Sequence, residues 1–257
     1  VGPPRTGGTY LLTRLYEAAG IDHTTLNRWV LRDTIPRTRH MARRRSDHKA
    51  DINGVFELFQ FLVWAKDCLP SNVVIQKNTR YANWTHILDK VFGNQASYAV
   101  TVRPPLPCMA SFIQWLKNIE DWDAFLQNTS ASLDKVCAPT ELVDLYDTAY
   151  YRHNGAGILD LILGIWEMNY CDIVQHACAG EIIPVLYGDP MEGLYENHFA
   201  GNLNAAGNSL EWTTDDRDYG TFVKKFDVDQ DATVAAIAKT RSFWAERGHK
   251  FPDIAAF

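Results

Sequence analysis

The residues best suited to chemistry stand at the start of the chain, in Val1-Gly2-Pro3-Pro4-Arg5-Thr6-Gly7-Gly8-Thr9, followed at once by an amphipathic run from Tyr10 to Ala19. Thr6, Gly7, Gly8 and Thr9 at the mouth of a helix free several backbone N–H groups, and the helix dipole adds partial positive charge where an anion would sit. The nearest general pattern is the Walker loop, GxxxxGK followed by Ser or Thr. Gly2, Gly7 and Thr9 match it, while Gly8 occupies the lysine position. A nucleoside triphosphatase uses that lysine on the outer phosphates of its substrate, so this loop cannot do the same job in the same way. Its cation is Arg5, three residues earlier and inside the bend. The plain alternative is a Gly-Gly connector before a helix.

A second constellation follows. Residues 97 to 102, Ser-Tyr-Ala-Val-Thr-Val, read as a strand that Arg103-Pro104-Pro105 ends, and Ser111 comes eight positions after Arg103 on the next helix. Taken alone, this is an arginine closing a strand and a serine in the first turns of a helix.

Taken together and in this order, the two stretches resemble the sulfotransferases. Their phosphosulfate loop reads as Lys or Arg, Ser or Thr, Gly, any residue and Thr; here it is Arg5-Thr6-Gly7-Gly8-Thr9. Their strand-end arginine and following serine bind the 3'-phosphate of the donor 3'-phosphoadenosine 5'-phosphosulfate (PAPS). The resemblance covers roughly residues 1 to 190. It implies a donor site made by Arg5, Thr6, Gly7, Gly8, Thr9, Tyr10, Arg103 and Ser111, with PAP as the product left behind. It also implies a lysine at the end of a neighbouring strand. Lys77 fits, after Val73-Val74-Ile75-Gln76, although Thr79 stands where the family often has proline. Where the family shows a Tyr-Glu-Asp triplet this chain has Tyr187-Gly188-Asp189, and no chemistry is assigned to Asp189. For the glycine-containing C-terminal loop that touches the 3'-phosphate side, Tyr219-Gly220 and Lys224-Lys225 are the candidates.

The chemistry so implied is transfer of a sulfuryl group to a hydroxyl or amine. That group carries less charge than a phosphoryl group, so cationic side chains can stabilise the leaving phosphate and no metal is expected; Arg5 and Lys77 take that part. A base with a pKa near neutrality serves best for the acceptor's proton, which makes His23 the first choice and Asp22 the second, in a region without an unambiguous glutamate. Two other classes stay open. A nucleotide kinase-like enzyme would share the loop and the sheet, against which the missing lysine at Gly8 argues. A non-catalytic PAP-binding module would keep Arg103 and Ser111 without a working base.

These residues need a scaffold, and the rest of the chain supplies its outline. Strands at 73 to 76, 97 to 102 and 182 to 187 alternate with helices, which predicts an α/β fold: a mostly parallel sheet flanked by helices, with a P-loop-like nucleotide-binding core and its site at the C-terminal edge of the strands. Helices are expected from Val55 to Leu69, from Trp84 to Phe92, after Pro107, from Ile158 to Cys178, and from Ala232 to Arg247 behind an aspartate cap. Asp227, Asp229 and Asp231 alternate like the start of a calcium loop, but Ala232 and Ala238 fill the glycine and glutamate positions, so that site fails.

Composition sets outer bounds. At 257 residues and 46% hydrophobic content the chain suits one domain, 1–257, able to bury roughly three quarters of its unfolded surface. A formal net charge of −6 argues against a general nucleic-acid binder, so any anion site must be local. The basic run Arg37 to Lys49 reads as a solvated stretch or as a lid that attracts an anion. Five cysteines without a CxxC pair suggest buried reduced thiols rather than disulfides or zinc. No stretch reaches the roughly 18 apolar residues of a membrane span and no signal peptide is visible, so the expectation is a cytoplasmic protein; the resemblance implies a small-molecule or glycan acceptor. A phosphate loop needs a strand before it, and only Val1-Gly2 precede this one. The natural chain is therefore expected to start earlier, and an upstream anchor or signal stays open.

Overall fold

The computed structural model describes residues 1–3, 5–18, 82, 85–116, 121–128, 157–175, 179–189, 212 and 215–256. The expected strand at 73–76, the helix at 55–69, the basic run 37–49, and Asp22, His23 and Lys77 lie outside them. So do Cys68, Cys137 and Cys178, whereas Cys108 and Cys171 are free thiols.

Helix α1 spans Gly8–Ala18. It starts two residues before the amphipathic run because the Gly7 carbonyl already accepts from the Leu11 amide at 2.9 Å. Leu11, Leu12 and Leu15, at helical spacing, form its buried face. Helix α2, Thr85–Phe92, runs into a short 3₁₀ turn at Gly93–Gln95 and then into strand β1, Ser97–Val102. Tyr98, Val100, Thr101 and Val102 are all buried, so the strand is covered on both faces.

Helix α3, Pro105–Leu116, opens on proline rather than near Pro107 as expected. The first turn of a helix has no use for those N–H groups, and the proline ring presets the backbone angle. Ser111 therefore sits almost two turns in. Helix α4 is Trp122–Asn128 and helix α5 is Ile158–Ile173. Helix α5 ends five residues short of the expected Cys178, where the amides of Val174 and Gln175 turn back to Cys171 and Asp172 and tighten the last turn.

Strand β2, Glu181–Leu186, pairs parallel with β1, with Ser97 opposite Glu181 and Val102 opposite Leu186. Tyr187 donates its amide to the Val102 carbonyl. The alternate donors of β2 thus face β1, and the missing donor of Pro184 falls on the opposite edge, where it costs no bond in this ladder. On the other side of β1, Val1 donates to the Ala99 carbonyl and accepts from the Thr101 amide, the pattern of a single parallel bridge. The architecture of the described residues is thus α/β, helices around a two-stranded parallel sheet.

Two more helices close the chain. In α6, Tyr219–Phe226, the Asp218 side chain accepts from the Gly220 amide; in α7, Gln230–Ala245, the Asp229 side chain accepts from the Ala232 amide. An aspartate caps α7 as expected, namely Asp229, with the helix starting two residues before the expected Ala232, and Asp227, in the left-handed region, ends α6. Helix α5 is packed between α3 and α7, and α6 lies on α3. Phe112, Ile113, Phe125, Trp166, Tyr170, Phe222 and Trp244 meet there in one buried cluster. None of the described helices is long and apolar enough to cross a membrane.

Candidate anion site

Among the described residues, Arg5, Arg103, Arg217, Ser111 and the first loop come together at the C-terminal ends of the two strands. The first loop lies flush on the end of β1. A Cβ on Gly2 would come within 2.8 Å of Thr101 Oγ1, and the residue has φ +142°, so only glycine fits there without strain. Thr6 is buried, and its hydroxyl donates to the Pro3 carbonyl and meets Thr101 Oγ1 at 2.7 Å. The Thr6 side chain therefore serves the loop's own frame. Arg5 adopts φ 68°, a left-handed conformation uncommon in a residue with a side chain. From Gly7 the chain enters α1, so the first amides of the helix have no carbonyl one turn back to bind. Thr9 is exposed, while Gly7, Gly8 and Tyr10 are partly covered.

Arg103 follows β1 directly and is held by helix α5. Trp166 Nε1 donates to its carbonyl at 2.9 Å, and Tyr170 Oη, which donates to the Thr101 carbonyl at 2.9 Å, accepts from its amide at 3.2 Å. One helical turn separates Trp166 from Tyr170, so a single face of α5 fixes the strand end. The Arg103 guanidinium, 4% exposed, donates through Nη1 to the Arg5 carbonyl at 3.1 Å and lies 4.4 Å from the ring centre of Tyr187 at the end of β2. Arg5 in turn donates from Nε to Ser111 Oγ at 3.2 Å. The two motifs thus touch twice, across 98 and 106 residues of chain.

The remaining face of Arg103 is already paired. Its Nη2 forms an ion pair with Asp215 Oδ2. The same oxygen accepts from Tyr219 Oη at 2.5 Å, and Asp215 Oδ1 accepts from Arg217 Nε at 2.8 Å. Arg217 reaches on to Gln114 of α3 at 3.3 Å. Burial works to raise the Asp215 carboxyl, but the Tyr219 hydroxyl and the two arginines outweigh it and hold the group below the usual carboxylate range. Burial likewise works against the charge on Arg103, and Tyr219 and Asp215 more than restore it. Burial and then Asp215 push the Tyr219 phenol well above its ordinary value, so it stays protonated and donates. Beneath the arginines, burial pushes the Cys108 thiol up to about 12, which keeps it neutral at ordinary pH.

Trp212 completes the surroundings. Its ring stacks on Tyr10 with centroids 5.5 Å apart and tilts against Tyr187 at 4.7 Å. A Cβ on Gly7 would lie 2.6 Å from the Trp212 ring, so Gly7 admits an aromatic cover as well as a turn at φ +88°. Among the described residues, Arg103 Nε and Trp212 Nε1 are buried without a hydrogen-bond partner.

Of the residues expected at the donor site, the structure thus brings Arg5, Thr6, Gly7, Tyr10, Arg103 and Ser111 to one sheet edge. Of the C-terminal candidates, Tyr219 joins them. Gly220 serves the cap of α6, and Lys225 lies over the Phe226 ring in its last turn. Asp215, Arg217 and Trp212 had no local signal, since they fall in an acidic, glycine-containing stretch without periodicity. Among the described residues no group of three or more His, Cys, Asp or Glu side chains converges as metal ligands would.

Comparisons with known protein families, with curated proteins and with solved structures find no match for this chain. What fold and site define between them is an α/β protein with two guanidinium groups, those of Arg103 and Arg217, paired with one carboxylate at the end of a parallel sheet and a third, that of Arg5, beside them.

Proposed function

We propose that this chain is a sulfotransferase with a P-loop-like core in a mostly parallel sheet, moving a sulfuryl group from PAPS to a hydroxyl or amine acceptor. The observation that carries the reading is the Arg5–Ser111 contact, joined by the bond from Arg103 to the Arg5 carbonyl. These contacts join the loop that would hold the 5' side of the donor to the pair that would hold its 3'-phosphate.

The donor set fits such a ligand. Arg5, the first amides of α1, Arg103, Arg217 and the Ser111 and Tyr219 hydroxyls are all donors, and the buried Arg103 Nε has a hydrogen to spare. When bound, PAPS supplies an activated sulfuryl group whose departure leaves negative charge on a phosphate. Arg5 is exposed beside the loop and able to face charge that grows there. Arg103 and Ser111 discriminate the 3'-phosphate from a plain hydroxyl. Tyr10, Tyr187 and Trp212 pack on one another next to the loop, an aromatic wall against which the donor's base would lie.

A thermal-shift and calorimetry panel of PAP, ADP and ATP tests the donor. PAP should stabilise the protein by about 2.7 kcal/mol at one hundred times its dissociation constant, with ADP and ATP far weaker. Arg103→Ala should weaken PAP by about 1.5 to 3 kcal/mol while barely changing ADP. Equal response to PAP and ADP removes the donor assignment. Transfer of labelled sulfuryl from PAPS to hydroxyl and amine acceptors tests the reaction, and PAP binding with no transfer to any acceptor leaves a non-catalytic PAP-binding module.

A further inference from the structure

The Asp215 carboxylate sits where an anionic ligand of Arg103 would have to sit. Three donors converge on it from separate places: Arg103 at the end of β1, Arg217 two residues along the chain and Tyr219 in the first turn of α6. Asp215 Oδ2 takes both Arg103 and Tyr219 while Oδ1 takes Arg217, and a tetrahedral oxyanion would bring a third oxygen to the same donors. Among the described residues the Arg103 Nε–H is left without a partner, buried on the same guanidinium. A second feature comes from the same part of the chain. Trp212, three residues before Asp215, is packed on Gly7 between Tyr10 and Tyr187, so Trp212 lies on the loop as Asp215 lies on the arginines.

We propose that Asp215 is a built-in competitor for a phosphomonoester, one that the ligand's phosphate must displace from Arg103 and Arg217 in order to bind. This rests on reading Arg103 as an anion site and adds the way that site is controlled. A carboxylate brings one negative charge and a phosphomonoester about 1.5 to 2 at neutral pH, so the ligand has the stronger claim on the arginines. The carboxylate, however, is tethered, with an effective concentration on the order of millimolar or above. A small phosphate in free solution therefore loses the exchange. A ligand that is also held by the first loop wins it, because its second anion raises its own effective concentration at the arginines. Asp215 thereby selects for ligands with two separated anionic groups.

The test is Asp215→Asn, which keeps the shape of the side chain and removes its charge. Binding of inorganic phosphate, ADP and PAP is measured on both proteins by calorimetry and melting temperature. Inorganic phosphate, barely bound by the parent, should gain about tenfold or more in the variant, the worth of one charge-assisted hydrogen bond no longer contested. PAP should gain by a similar factor. Unchanged or weaker phosphate binding in the variant overturns the proposal. The donor reading fails separately: a phosphate gain in Asp215→Asn with no preference for PAP over ADP in either protein supports the competitor and removes PAPS. A PAP preference in the parent with no gain in the variant does the reverse. A variant that folds only in phosphate buffer supports the exchange. Should it fold in neither buffer, carbodiimide labelling of the unaltered protein decides: Asp215 should become labelled with PAP bound but not in chloride of equal ionic strength, and equal labelling in the two overturns the proposal.

Discussion

At the scale of single residues, the site turns on charges that hold one another in place. Asp215 is bound by Tyr219, Arg103 and Arg217, with Arg5 nearby through its contacts to Arg103 and Ser111. Its folded-state pKa lies below the unfolded value of about 3.9. The stability it contributes is therefore complete above that value and is lost as the pH falls through the lower, folded one. Melting temperatures taken between about pH 7 and pH 2 should show the parent above Asp215→Asn in the upper part of that range, with the gap closing in acid. A gap of constant size would mean that the amide perturbs packing and that the charge is idle. The sequence could name Arg103 and not its partner. The two are 112 residues apart, and nothing in either neighbourhood specifies the other. Likewise, Arg5 was legible as the loop's cation, whereas its left-handed backbone and its bond to Ser111 depend on β1 and α3 being in place.

At the scale of elements, α5 is the part that aims Arg103. Tyr170 satisfies two backbone groups at the strand end at once, and Trp166 a third. Tyr170→Phe removes one oxygen and strands the buried Arg103 amide and the Thr101 carbonyl. The expected loss is about 2 kcal/mol or more of stability, with weaker PAP binding because Arg103 is released. Denaturant unfolding and calorimetry read both, and a variant as stable as the parent would show that α5 does not hold the strand end. The element boundaries follow short-range rules and were largely visible in advance. Strand β1 is the one expected, and Asp229 caps α7. The misses have local causes: prolines let α3 start early, and backward-turning amides end α5 early.

At the scale of the whole molecule, the C-terminal helix is tied to the site through α5. Trp244 of α7 is fully buried, donates from Nε1 to the Tyr170 carbonyl at 2.9 Å and packs edge-on against Phe251. Trp244→Phe keeps a ring there but leaves that carbonyl without its donor and a gap beside it. The expected cost is about 1 to 3 kcal/mol, read as a lower denaturation midpoint with an unchanged slope. If the slope changes as well, the folded core has loosened and the effect is wider than one bond. The formal charge of −6 belongs to this scale too. It makes the protein as a whole repel polyanions, while three guanidinium groups against the one Asp215 carboxylate leave a local excess of positive charge at one sheet edge.

The sequence by itself determined the parts whose causes are local. These are a glycine loop opening a helix, an apolar strand ended by Arg103 and two prolines, helices of 3.6-residue period, an aspartate cap, and thiols with no pairing pattern. Each depends on neighbours within about one or two turns, so composition and spacing suffice. Only the tertiary structure decided that the loop lies on the end of β1, that Arg5 reaches Ser111, and that α5 pins the strand end. It alone placed Trp212 over Gly7 and a carboxylate in the grip of Arg103 and Arg217. Such contacts form between surfaces that meet only when the sheet and its helices have packed, and a charge pair across 112 residues leaves no periodic trace in the chain that could announce it.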